Sequence, residues 1–218
     1  MSATAIADLF AGEPARTELI GPGAALLRGL ARAEEARLLA SCEAVAAAAP
    51  FRRMVTPGGF RMSVAMTNCG IAGWVTDRRG YRYDPADPET GRPWPAMPPV
   101  FAELARRAAR AAAYRDFDPD CCLINRYEPG ARMSLHQDRN ERDFSQPIVS
   151  VSLGLPAIFL LGGLRRSDRP RRIRLESGDV VVWGGPARLI FHGVAALAAG
   201  DHPTLGARRL NLTFRKAL

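Results

Sequence analysis

From Asp120 to the C-terminus the chain is a succession of short β-forming runs cut by turn residues, and this texture restricts the architectures open to it. Cys121–Tyr127, Ile148–Leu153, Ala157–Leu161, Arg172–Leu175, Val180–Trp183, Leu189–Phe191 and Leu210–Phe214 all have strand length and β-branched or aromatic content. Glu128-Pro129-Gly130, Ser177-Gly178-Asp179 and Gly184-Gly185-Pro186 provide the backbone angles that tight connections need. Many short strands joined this way predict a closed or double-layered antiparallel fold. A cupin-like jelly roll is the natural candidate, because it places a pocket between two sheets.

Helices are expected ahead of this region. Ala33–Ala49 is rich in strong helix formers, carries Glu34 and Glu35 near its start and stops at Pro50. A second helix runs from Val100 to Ala113 after Met97-Pro98-Pro99, with Val100, Leu104 and Ala108 on one face and Arg106, Arg107 and Arg110 largely elsewhere. The fold class is therefore α+β, a double-stranded β-helix braced by helices. Phe51–Pro95 lies between, dense in Gly, Pro and aromatic residues, and reads as an irregular substrate lid rather than core. One integrated domain follows: an extension and bracing helix over 1–50, a lid over 51–95, and a jelly roll with its leading helix over 96–218.

At 218 residues and 47% apolar content the chain can bury a substantial core. No apolar run reaches the ~18 residues of a membrane span, and Met1–Phe10 lacks the pattern of a signal peptide. Cys42, Cys69, Cys121 and Cys122 show no metal or redox spacing and read as packing residues in a reducing cytoplasm. The net charge of +8 suggests a polyanionic partner. Lys216 is the only lysine, so codon bias toward arginine is a competing explanation of the total. Placement says more: Arg165, Arg166, Arg169, Arg171, Arg172 and Arg174 crowd one hairpin, as a solvated basic edge or as one that tracks phosphates.

The chain has only three histidines, and two of them fall where a metal needs them. In His136-Gln137-Asp138, strand residues two apart share a face, so His136 and Asp138 can bind one ion together. His192, from a distant strand, completes two imidazoles and a carboxylate, the set that leaves open positions on a non-haem Fe(II). Arg209 and Arg215 follow, and two fixed guanidinium groups beside such an ion suit a dicarboxylate. His202, in Gly200-Asp201-His202-Pro203, reads as a solvated loop residue.

Longer strings carry a resemblance. Phe51-Arg52-x-Met54-Val55-Thr56-Pro57-Gly58-Gly59, Met62–Gly70, Leu123-Ile124-Asn125-Arg126-Tyr127-x-Pro129-Gly130, Leu135–Asp138, Pro147–Phe159, Gly178–Gly185 and Asn211–Arg215 resemble the bacterial DNA-repair members of the AlkB family of Fe(II)/2-oxoglutarate-dependent nucleic-acid dealkylases. The likeness extends from about Ala7 to the C-terminus. It implies Fe(II) held by His136, Asp138 and His192, and 2-oxoglutarate held by Arg209 at its distal carboxylate and Arg215 at the carboxylate next to the keto group. Asn125, Arg126, Tyr127 and Asn211 fall in the co-substrate strings.

The resemblance also makes Trp74–Tyr83 a nucleotide-recognition lid, in which Trp74 stacks on the damaged base and Tyr81, Arg82 and Tyr83 face the substrate, joined by Arg166 from the basic hairpin. A small satellite core of aromatics is the competing reading of this segment. The implied reaction is oxidative removal of N-alkyl groups from bases in DNA, with RNA as a further substrate, by a monomer. Bacterial relatives commonly carry Asp where this chain has Asn140, near the exocyclic amine of the base; the neutral amide bears on cationic lesions such as 1-methyladenine and 3-methylcytosine. A 2-oxoglutarate oxygenase of small molecules or proteins, and a non-catalytic nucleic-acid-binding jelly roll, are the alternatives.

Overall fold

The computed structural model describes residues 16–218, so the expectation for Met1–Phe10 lies outside the described residues. The first strands, β1 (Arg16–Gly21) and β2 (Ala24–Arg28), form a hairpin followed by helix α1 (Glu35–Ala48). Next come β3 (Ala65–Gly70), the hairpin β4 (Gly73–Asp77) and β5 (Gly80–Asp84), and helix α2 (Pro99–Ala111). The remainder is β6 (Cys121–Tyr127), β7 (Met133–His136), β8 (Ile148–Gly154), β9 (Ala157–Leu161), β10 (Arg171–Leu175), β11 (Val180–Trp183), β12 (His192–Val194) and β13 (Arg209–Arg215).

Two antiparallel sheets make the jelly roll. The larger has seven strands in the order β1-β2-β11-β8-β13-β6-β3, and the smaller has four in the order β10-β9-β12-β7. Among the described residues β4 and β5 pair only with each other.

Period-two alternation assigns every central strand of the large sheet two jobs. Leu210, Leu212 and Phe214 of β13, Val149, Val151 and Leu153 of β8, and Cys122 and Ile124 of β6 pack against Leu38 and Val45 of α1 and Phe101, Leu104 and Ala108 of α2. The alternate residues turn toward the small sheet. On β11 these are Val181 and Trp183, which join Phe159 and Leu161 of β9 and Ile173 of β10. On β13 they are Arg209, Asn211, Thr213 and Arg215, all buried.

Three sequence expectations are corrected here. Phe51–Pro95 is not irregular throughout: β3 is buried from Ala65 to Cys69, held where the Thr67 hydroxyl donates to the Ala49 carbonyl at 2.6 Å. Leu189–Phe191 is not a strand; the turn through Gly185–Ala187 continues to Ile190, whose amide reaches Ala187 O at 3.1 Å, and the strand begins at His192. His202 is no bare loop residue, since its Nδ1 accepts the amides of Thr204 and Leu205 at 3.3 Å and its Nε2 lies 3.7 Å from Glu35. The four cysteines are free and buried, as packing residues should be, and burial pushes the Cys42 thiol up to about 12. Among the described residues no helix is long and apolar enough to cross a membrane.

Candidate metal and co-substrate site

The small sheet brings the histidines together. β12 pairs with β7 so that His192 stands opposite His136, with a bulge between His192 and Val194. Gly193 permits this approach: a Cβ there would lie 2.6 Å from the Met133 carbonyl oxygen. Asp138 sits just past the end of β7, with Oδ1 3.7 Å from His136 Nε2 and Oδ2 3.8 Å from His192 Nε2. The three ligand atoms lie within 4.8 Å of one another, and this is the one His/Cys/Asp/Glu group among the described residues that could hold a metal ion.

Their protonation suits a cation. His136 Nδ1 is 2.8 Å from Ser134 O and His192 Nδ1 is 3.2 Å from Ile190 O. A carbonyl only accepts, so each Nδ1 carries the proton and each Nε2 keeps the lone pair that a metal ion would take. Burial, helped by the neighbouring His136, lowers His192 to about 3, which keeps its imidazole neutral. Burial works to raise the Asp138 carboxyl, but Arg215 and the two imidazoles outweigh it and hold the group below the usual carboxylate range.

A cavity opens beside these ligands, lined by Leu123, Asn125 and Tyr127 of β6, Met133, Ser150, Phe159, Trp183, and the polar face of β13. Hydrogen bonds order that face: Arg209 Nη2 donates to Ser152 Oγ at 2.9 Å, Asn211 Nδ2 to Ser150 Oγ at 2.8 Å, and Asn125 Nδ2 to Asn211 Oδ1 at 3.3 Å. Several groups find no partner among the described residues despite full burial: Nε and Nη1 of Arg209, Nη1 of Arg215 and Oδ1 of Asn125. Buried donors are rarely left so, because each costs about 1–3 kcal/mol without an acceptor. Two guanidinium groups with free donors, both on β13 and six residues apart in the sequence, therefore fit an anion with a carboxylate at each end.

The expected site residues divide on inspection. His136, Asp138, His192, Asn125, Tyr127, Arg209, Asn211 and Arg215 converge on the one locus. Arg126 does not: alternation turns it to the helix side, where its guanidinium lies 4.7 Å from the Phe51 ring centroid. Trp74 and Tyr81 stack on the β4–β5 hairpin at 5.7 Å. Arg82 is occupied within that hairpin by Asp77 at 3.0 Å and Asp84 at 3.4 Å. Tyr83 points inward rather than to the surface, its hydroxyl 2.5 Å from Glu141 Oε1. Exposed Arg166 lies over Phe191, the neighbour of His192, at 5.9 Å. Asn140 is held by the hairpin: its Oδ1 accepts the Trp74 indole N–H at 3.3 Å and its Nδ2 reaches Tyr81 O at 3.4 Å.

Glu141 and Arg188 went unnoticed in the sequence. Arg188 binds Glu141 at 3.0 Å, the Asp138 carbonyl at 3.0 Å and the Gln146 carbonyl at 3.0 Å, which pins the loop carrying the metal-facing carboxylate. Asn68, quoted only inside a motif, clamps both backbone groups of Trp74, at 3.0 and 3.1 Å.

Comparison with known proteins agrees with this geometry. The 2OG-Fe(II) oxygenase superfamily matches residues 23–215. Alpha-ketoglutarate-dependent dioxygenase AlkB of Salmonella typhimurium is 59% identical over 210 residues, covering 96% of this chain and 97% of that protein. The Escherichia coli protein of the same name is 58% identical with the same coverage. A mouse relative named nucleic acid dioxygenase ALKBH1 is 36% identical over 121 residues, 56% of this chain and 31% of that protein. The solved structure of OsALKBH1 superposes with a TM-score of 0.81 at 30% identity, covering 92% of this chain and all of that one. With the His136, Asp138 and His192 triad, the two-arginine cavity and this near full-length identity in hand, the chain belongs to the AlkB family of Fe(II)/2-oxoglutarate-dependent dioxygenases.

Proposed function

We propose that this dioxygenase removes N-alkyl groups from bases of DNA, and of RNA, taken as single strands or as flipped-out nucleotides. The observation that carries the reading is the buried polar face of β13, aimed past the His136, Asp138 and His192 triad with arginine donors unpaired at Arg209 and Arg215. Iron and 2-oxoglutarate, when bound, supply oxidation of the N-alkyl carbon by dioxygen, with succinate and carbon dioxide as co-products and formaldehyde released from an N-methyl group.

The chain's own residues do the rest. His136, Asp138 and His192 hold the iron, and their Nδ1 hydrogen bonds keep both imidazoles in the binding tautomer. Arg209 and Arg215 orient the co-substrate, and Asn125, Tyr127 and Asn211 shape its bed. Trp74 offers an aromatic face to the base; Tyr81 covers part of the ring, which confines the base to the remaining surface. Stacking of this kind is worth about 1–3 kcal/mol per base and tolerates any base. A base that cannot pair also reduces the few kcal/mol that flipping costs. Arg166 and the exposed arginines of β10 supply positive charge for phosphates near the site.

The mouse relative's name supports nucleic acid as the substrate class. The test is release of formaldehyde and succinate from a panel of single- and double-stranded oligonucleotides carrying 1-methyladenine or 3-methylcytosine. Turnover of the oligonucleotides dependent on 2-oxoglutarate is expected. Turnover of free nucleosides or small molecules alone would place the chain among oxygenases of other substrates.

A further inference from the structure

We infer that Glu141 is a positioning residue that links the β4–β5 hairpin to Arg215, so that a co-substrate seated on Arg215 steadies the hairpin that faces the base. The inference rests on the reading of Arg215 and the hairpin given above.

The Glu141 side chain is 1% exposed. Its Oε1 is shared between the Tyr83 hydroxyl at 2.5 Å and Arg215 Nε at 3.4 Å, while Oε2 takes Arg188 Nη2 at 3.0 Å. A buried carboxylate persists only where cations and donors surround it, and here each partner comes from a different part of the fold. Arg188 holds the loop, Arg215 comes from the floor of the cavity, and Tyr83 comes from a two-stranded sheet that shares no ladder with the other described strands. Burial raises the Tyr83 phenol well above its ordinary value, so the proton it donates is retained.

Arg215 is the shared piece. Its Nε and Nη2 hold Asp138 Oδ2 at 3.0 and 2.7 Å, its Nε also faces Glu141, and its Nη1 is the buried donor still without a partner. A carboxylate on Nη1 fixes the plane of the guanidinium. It thereby fixes the direction in which Nε meets Glu141, and through Glu141 the seat of Tyr83. Asn140, the preceding residue, grips the same hairpin through Trp74 and Tyr81, so the loop after Asp138 is the hairpin's docking platform.

Coupling of this kind is reciprocal: whatever factor 2-oxoglutarate adds to hairpin docking, docking adds to 2-oxoglutarate affinity. The experiment uses the full chain loaded with Mn(II), without nucleic acid. Amide exchange across β4–β5 and the 2-oxoglutarate Kd are measured for the parent, Tyr83→Phe and Glu141→Gln. In the parent, 2-oxoglutarate is expected to slow hairpin exchange. In both variants that slowing is lost and Kd rises by a matching factor, on the order of tenfold for one hydrogen bond to a buried carboxylate.

The inference is overturned if 2-oxoglutarate leaves the parent's hairpin exchange unchanged, or if Tyr83→Phe keeps either the slowing or the parent's Kd. Tyr83→Phe removes a single oxygen and decides the matter even where Glu141→Gln, which leaves two arginines around a neutral amide, fails to fold. A parent enzyme inactive on oligonucleotides overturns the proposed substrate and leaves this result standing.

Discussion

Arg209→Met is expected to separate folding from co-substrate binding, because in the proposed role this side chain acts on the two in opposite directions. Arg209 is 1% exposed, with Nη2 on Ser152 and both Nε and Nη1 lacking an acceptor. At about 1–3 kcal/mol for each buried unpaired donor, the pair costs the fold roughly 2–6 kcal/mol when no co-substrate is added. Water entering the cavity relieves part of this, so the lower half of the range applies. Methionine fills a similar volume and loses the bond to Ser152, about 1 kcal/mol. It also loses the guanidinium contact with the Tyr127 ring at 4.9 Å, worth about 1 kcal/mol. Burial already lowers the Arg209 pKa, which has the same sign: its surroundings in the fold disfavour the charge.

The balance runs from about zero to 2 kcal/mol in the variant's favour, a Tm equal to the parent's or higher by up to about 8 °C in a domain of this size. Binding moves the other way, since truncating one partner of a desolvated charge pair costs about 2–5 kcal/mol, or roughly 30-fold to several thousandfold in Kd. Thermal melts with Mn(II), with and without 2-oxoglutarate, test both signs. The parent's Tm should rise with ligand concentration and the variant's should not. A variant that melts well below the parent in the absence of 2-oxoglutarate, or that keeps the parent's ligand-dependent rise, would refute the reasoning.

Replacing His136, Asp138 or His192 by alanine should abolish formaldehyde release, because each removes one corner of the facial arrangement; near-parental turnover with iron limiting in any of them rejects the triad. Gly193→Ala should weaken metal binding, since its Cβ would press on the Met133 carbonyl at 2.6 Å and separate β12 from β7; calorimetric titration with Mn(II) reads the effect, and parental affinity excludes it. Arg166→Ala should reduce affinity for undamaged single-stranded DNA and flatten its decline with salt; a salt-independent parental affinity favours codon bias as the origin of the basic hairpin. Asn140→Asp keeps an acceptor for the Trp74 indole, gives up the donor to Tyr81 and adds a charge at an exposed position. Solvent screening holds the gain far below the ~4 kcal/mol of an unscreened pair at 4 Å and effective dielectric 20. A severalfold rise in kcat/KM for 1-methyladenine relative to 1-methylguanine is expected, and an unchanged ratio shows that this charge does not reach the base.

What was legible in the sequence followed from local rules. Arg209-Leu210-Asn211-Leu212-Thr213-Phe214-Arg215 states its own alternation, and the structure buries both faces of it, the apolar one on the helices and the polar one on the cavity. The same rule, applied strictly, places Arg126 on the helix side of β6, between Asn125 and Tyr127; its assignment to the co-substrate came from the family string and not from the pleat. Residues whose environment depends on distant partners were not legible. β3 carries Thr67 and Asn68, which look like loop residues until Ala49 O and the Trp74 backbone arrive to satisfy them. Tyr83 looks like a surface contact until Glu141 is known to lie beneath it.

Glu141 and Arg188 illustrate the limit most sharply. A charged residue is solvated by default, and nothing nearby in the chain marks either one as buried. Yet their pairing with Arg215 and Asp138 places two cations and two carboxylates within one buried cluster beside the metal-binding triad. Such a cluster is stable only when complete, because removing one member leaves an uncompensated buried charge at about 3–5 kcal/mol. Asp138, Arg215 and the Glu141 partner of Tyr83 are consequently held to one geometry. One fixed geometry of this kind is what the proposed binding of an anion, a cation and a base side by side would require.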